Sequence, residues 1–138
     1  MQSEKINNLK LPSKLLSDSV NGGYKIDDNK QKKLEKLFKN LENISPHFFS
    51  YDQIKKESES WVDKNLNEYL GSKHEQVQPG HIDLRKCLII GMAEEDSPLG
   101  LDYRTTVPSV IYFGDLGHEC YWFKIADSYP DLISFLEE

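Results

Sequence analysis

The sequence predicts an α+β fold: an antiparallel sheet of about four to six strands packed with N-terminal helices and a C-terminal helix. Three observations carry this expectation. Apolar residues in the first half recur at helical spacing, as in Leu34, Leu37, Phe38 and Leu41. Between residues 87 and 125 the pattern changes to short apolar runs of strand length, separated by turn residues. The last eleven residues then open on Ser128-Tyr129-Pro130-Asp131, a strong helix start.

Each element has its own local reason. Leu11-Pro12-Ser13-Lys14-Leu15-Leu16 starts a short helix, because Pro12 suits a first turn in which its missing N–H costs nothing. Asn21-Gly22-Gly23 stops it, since these residues tolerate positive φ. Tyr24-Lys25-Ile26 follows as a short strand. Asp27, Asp28 and Asn29 offer caps for a helix over 30–43. Ser50-Tyr51-Asp52-Gln53 is a capping box opening a helix that runs to about Leu70 and ends at Gly71. Its core candidates are Ile54, Trp61, Val62, Leu66, Tyr69 and Leu70. A loop surrounds Gln78-Pro79-Gly80. Strands are expected at 87–92, 99–103, 109–113 and 120–125, with a turn at Gly114-Asp115-Leu116-Gly117. In the closing helix Tyr129, Leu132, Ile133 and Leu136 share the face toward the sheet.

Composition narrows the function classes. The 138 residues show no repeat, low-complexity tract or linker, so one domain spanning 1–138 is expected. Mean hydropathy is −0.62, but aromatics at 11% supply enough buried area for a core. No apolar run approaches the roughly 20 residues that span a bilayer, so no membrane association is expected. The first eight residues lack the apolar core of a secretory signal. With only Cys87 and Cys120, the expectation is a reduced, cytoplasmic protein in which Asn43-Ile44-Ser45 is no glycosylation site. A net charge of −6 argues against nucleic acid. The acidity is uneven: residues 91–138 carry ten acidic groups against Arg104 and Lys124 alone. Such a surface suits a basic protein or a cation, although acidic loops also serve plain solubility.

Motifs for catalysis are missing. His47, His74, His81 and His118 form no helical pair and no zinc spacing, so neither metal nor cofactor is expected. Cys87 and Cys120 are read as small buried hydrophobes of strands. There is no Gly-x-Ser-x-Gly elbow and no phosphate-binding glycine loop. The densest constellation is Glu94-Glu95-Asp96-Ser97-Pro98-Leu99-Gly100-Leu101-Asp102-Tyr103-Arg104. A divalent-dependent hydrolase using Glu95, Asp96 and Asp102 is one use for it. The favoured reading gives Asp102 a structural bond to backbone donors and makes Glu94, Glu95 and Asp96 an interaction surface. In Tyr121-Trp122-Phe123 the strand alternation sends at least one aromatic away from the main core face unless a helix covers it.

These residues resemble the SUKH superfamily (Smi/Knr-type proteins). The resemblance rests on Leu11-Pro12, Gly22-Gly23, Ile89-Ile90-Gly91, the run from Asp96 through Pro98, Gly100, Asp102, Tyr103 and Arg104, Pro108 to Phe113 including Tyr112, Trp122, and Ile125 to Tyr129. It covers nearly the whole chain, with one departure: the helix that normally precedes Leu-Pro is shortened to a segment holding Ile6 and Leu9. The resemblance implies a non-catalytic binding domain. Bacterial members look like immunity proteins that neutralise a polymorphic toxin, often a nuclease; fungal relatives are cell-wall regulators. The expected partner is therefore a basic toxin domain, with Glu94, Glu95, Asp96, Asp115 and Glu119 as electrostatic contacts and Trp122 as an anchor. A regulatory adaptor binding an endogenous protein is the alternative.

Overall fold

A computed structural model describes residues 3–64 and 67–138. The fold is α+β, as expected. The segment before Leu11 is a hairpin, β1 (Lys5–Ile6) with β2 (Leu9–Lys10), turning on Asn7 and Asn8 at φ 53° and 65°. Asparagine is among the few residues that tolerate this backbone. Ile6 is buried, and the hydroxyls of Tyr51 and Tyr103 donate to the carbonyls of Ser3 and Lys10, fixing the hairpin to the body.

Helix α1 (Ser13–Val20) begins after Pro12 and gives way to Gly22 and Gly23, both at positive φ. A Cβ on Gly23 would collide with the carbonyl oxygen of Phe48, so the chain passes only as glycine. Tyr24-Lys25-Ile26 is not the expected strand. Tyr24 instead sets its ring edge-on to Phe48 and donates its hydroxyl to Glu137, which draws the segment away from any sheet edge.

Helix α2 (Asp28–Leu37) is capped by Asp27, whose carboxylate accepts from Lys30 N. It stops short of the expected residue 43. Phe38 leaves helical geometry and packs its ring edge-on to Tyr112, with centroids 4.9 Å apart. Strand β3 (His47–Phe48) leads to α3 (Tyr51–Lys64), opened by the Ser50–Gln53 capping box. This helix ends before the expected Leu70; Leu66 lies outside the described residues, and a 3₁₀ turn at Asn67–Tyr69 follows.

The sheet contains β4 (Pro79–Gly80), β5 (Cys87–Glu94), β6 (Ser97–Asp102), β7 (Ser109–Leu116) and β8 (Glu119–Ala126). Its order is β3-β5-β6-β7-β8-β4, antiparallel throughout. The segment around Pro79 is thus an edge strand on β8, not a free loop. Continuous burial along β6 and from Ser109 to Gly114 shows that both faces of the sheet are covered. Phe113 and Trp122 meet Tyr69 and Trp61 on one side, while Tyr112 and Phe123 stack and meet Phe38 on the other.

Helix α4 (Tyr129–Leu136) starts as read, with Ser128 Oγ accepting from Asp131 N at 3.1 Å. Tyr129, Leu132, Ile133 and Leu136 are buried. Tyr129 donates to Asp18 of α1 at 2.7 Å, and Lys33 of α2 donates to the carbonyls of Phe135, Leu136 and Glu138. The three helices are thereby tied at one corner.

Candidate functional site

Two hairpin turns, one loop and one 3₁₀ turn enclose a cleft of about 630 Å³. The β5–β6 turn contributes Glu94, Glu95, Asp96 and Ser97; β7 contributes Phe113, Gly114 and Asp115; β8 contributes Cys120. The segment after α2 adds Glu42 between Asn40 and Asn43, and the 3₁₀ turn adds Glu68 and Tyr69. A second recess adjoins it across Glu94, Glu95 and Asp96, lined also by Asn43, Ser45, His47 and Met92.

The local fold explains this convergence. Glu94 pairs with Ser97, so Glu95 and Asp96 form a two-residue turn, with Asp96 at φ 64°. An aspartate tolerates that conformation better than most residues, and the turn projects three successive carboxylates. Asp115 stands opposite Cys120 in the β7–β8 ladder and accepts its thiol hydrogen at 2.9 Å. That hydrogen bond, then burial, push the Cys120 thiol up to about 11. Burial, followed by the Asp96 and Glu68 carboxylates, pushes the Tyr69 phenol up as well.

The cleft therefore holds six carboxylates: Glu42, Glu68, Glu94, Glu95, Asp96 and Asp115. Among the described residues the ion pairs are Lys14–Asp18, Lys55–Glu59, Arg104–Asp102 and Lys124–Asp127, and none involves these six. Tyr69 and Phe113 form an aromatic wall, ring centroids 5.3 Å apart. Glu94 is half-buried, and its Oε1 is buried without a hydrogen-bond partner.

Four of the six residues expected to contact a partner are handled differently from the other two. Glu94, Glu95, Asp96 and Asp115 come together in the cleft. Glu119 is exposed but does not line it; its carboxylate accepts from the Tyr121 hydroxyl at 2.7 Å. Trp122 cannot serve as an anchor. Its indole is fully buried between Trp61, Phe113 and Gly100, and its Nε1 donates to the Tyr69 carbonyl at 2.7 Å. It instead holds the 3₁₀ turn that carries Glu68 and Tyr69. Cys120 is likewise half-buried at the cleft, not a core hydrophobe, whereas Cys87 is buried. Glu42 and Glu68 carry no local signal, because the sequence reads both as ordinary helix positions.

The hydrolase set is not assembled. Asp96 and Asp102 stand at opposite ends of β6, and Asp102 is committed elsewhere. Its Oδ1 accepts from Arg104 N at 3.1 Å and Nε at 3.0 Å, and its Oδ2 from the same guanidinium at 3.1 Å. This is the structural role expected of it; Arg104 also donates to the His81 carbonyl. The remaining motif residues are structural too. Pro12 occupies the N-cap position of α1 without a side-chain capping bond, Gly22 and Gly23 turn the chain, and Pro98 lies in β6 outside its pairing with β7. Gly100 leaves room for Cys87 Sγ, Tyr103 holds the N-terminal hairpin, Pro108 precedes β7, and Tyr112 packs on Phe38.

No protein-family model matches the chain, and no curated protein or solved structure matches it either.

Proposed function

We propose that this chain is a non-catalytic protein-binding domain, an immunity protein of the SUKH type that neutralises a toxin domain by covering its basic surface. The observation that carries this reading is the cleft, where six carboxylates gather without a counter-cation among the described residues. The cleft is lined by negative charge, and a cationic partner complements that charge as it binds. A nuclease surface that holds phosphate has the complementary charge.

The test is capture of the partner from lysate of the native host, then assay of the captured domain with and without the chain. Inhibition at equal stoichiometry is the expected result. A captured partner whose activity is untouched overturns the immunity reading in favour of a regulatory adaptor.

A further inference from the structure

We propose that Asn21 is a site of covalent modification, converted with loss of ammonia to aspartate and isoaspartate, and that the end of α1 is the gate that sets its rate. None of the residues involved lines the cleft, so this inference stands apart from the binding reading.

The chemistry starts from the sequence. Of the asparagines in the chain only Asn21 precedes a glycine; the others are followed by Asn, Leu, Lys, Ile or Glu. A side chain on the following residue crowds its backbone nitrogen, whereas glycine leaves that nitrogen free to attack. The Gly22 nitrogen gives up its proton and bonds to Asn21 Cγ, the Cγ–Nδ2 bond breaks, and ammonia departs with that proton. The five-membered imide that results takes up water at one of its two carbonyls. Opening at Cγ gives aspartate. Opening at the backbone carbonyl gives isoaspartate, in which the main chain runs through Cγ. Water is the only co-reactant, and nothing is oxidised or reduced.

Access and restraint meet at this dipeptide. Asn21 and Gly22 are both exposed, and a Cβ placed on Gly22 would meet only Lys25 Nζ, at 3.5 Å, so water has an open approach. The C-cap geometry holds the reaction back. At ψ 20° for Asn21 the Gly22 nitrogen is turned toward the Asn21 backbone nitrogen and away from the side chain. Gly22 N donates to the Ser19 carbonyl at 3.1 Å, and Asn21 Nδ2 donates to the Ser17 carbonyl at 2.9 Å. Ring closure swings the Gly22 nitrogen round to Cγ, so both bonds must break and the last turn of α1 must open. Asp18 ties that turn to α4 by accepting from the Tyr129 hydroxyl, which puts the helix corner behind the gate.

Either product undoes the cap. Aspartate lacks the donor to Ser17 and sets a negative charge at a helix C-terminus, where the dipole disfavours it. Isoaspartate lengthens the backbone just before Gly23, whose path lies so close to β3 that a Cβ would sit 2.3 Å from the Phe48 carbonyl oxygen.

The experiment incubates the full chain at pH 8, folded and in guanidinium chloride. Peptide mapping that separates aspartate from isoaspartate follows Asn21, and hydrogen exchange at the Gly22 amide is the second readout. Conversion should be confined to Asn21 and run roughly tenfold slower in the folded chain, the effect of breaking two hydrogen bonds before each closure. Tyr129→Phe, which cuts the tie to Asp18, should speed both conversion and Gly22 exchange in the folded chain and leave the unfolded rate unchanged. Asn21→Asp, the aspartate product made directly, should melt lower than the wild type. Folded conversion as fast as unfolded, or a rate that fails to follow Gly22 exchange in Tyr129→Phe, overturns the gate. Preferred conversion of another asparagine, or none at Asn21 in the folded chain over weeks, overturns the site. Equal melting of Asn21→Asp and wild type overturns the effect on the cap.

Discussion

Asp115 and Cys120 face each other in the β7–β8 ladder, and that pairing decides what the thiol does. Thiolate is the reactive form, and a carboxylate accepting the S–H holds the proton on sulfur. With the thiol pushed up to about 11, alkylation by iodoacetamide at pH 8 should run roughly tenfold slower than for a free cysteine, allowing for the greater nucleophilicity of the more basic thiolate. The rate should keep climbing with pH until about 11. Asp115→Asn removes the leading cause and should speed the reaction at pH 8; an unchanged rate would show that the contact does not control the thiol. Mass mapping should find Cys87 silent, because its side chain is buried. At this scale the sequence was legible wherever a side chain acts on its own neighbours: Asp102 does bond the backbone two residues on. It was not legible for Trp122. Strand alternation says which residues share a face but not what covers that face, and Trp61 covers this one.

Among the elements, α4 owes its start to a single side chain. Ser128 Oγ is the acceptor for Asp131 N, so Ser128→Ala should cost about 1 kcal/mol, measured by equilibrium urea unfolding. A loss indistinguishable from zero would mean that Pro130 and the burial of Tyr129 define the helix start without the cap. β5 to β8 and α4 were readable because their signals are local: apolar runs, turn residues, a cap. β1, β3 and β4 were not, being two residues each. A two-residue strand has no period to detect, and β3 and β4 exist through partners far along the chain. The early end of α2 was hidden for a related reason, since Phe38 continues the helical stripe in sequence yet turns toward Tyr112 in space.

For the molecule as a whole, the charge gradient along the sequence becomes a localised negative site in three dimensions. Association with a basic partner should therefore slow steeply as salt rises, on the order of tenfold between dilute and high salt. Glu95→Lys should slow association and flatten that dependence while leaving the melting temperature nearly unchanged, because its side chain is exposed. Stopped-flow measurements across a salt series provide the check, and identical slopes would place the partner elsewhere. Half of this site could be read from one stretch of sequence, Glu94 to Asp96; Glu42, Glu68 and Tyr69 join only through folding. The stretches of β5 and β8 left unpaired by the two-residue strands β3 and β4 add a last consequence. On β5, the outward-facing Ile89 N donates to Ser58, and Ser45 and Phe49 donate to the carbonyls of Ala93 and Ile90. On β8, Ser72 donates to Cys120 and Lys124 to Gln78. With these main-chain groups satisfied internally, β5 and β8 offer little backbone for strand addition. If the chain binds a protein as proposed, side chains on the turns are the groups left to do so, and substitutions there leave the core untouched. On the binding reading proposed above, grafting a foreign β5–β6 turn onto this scaffold should change what it binds without changing how it folds.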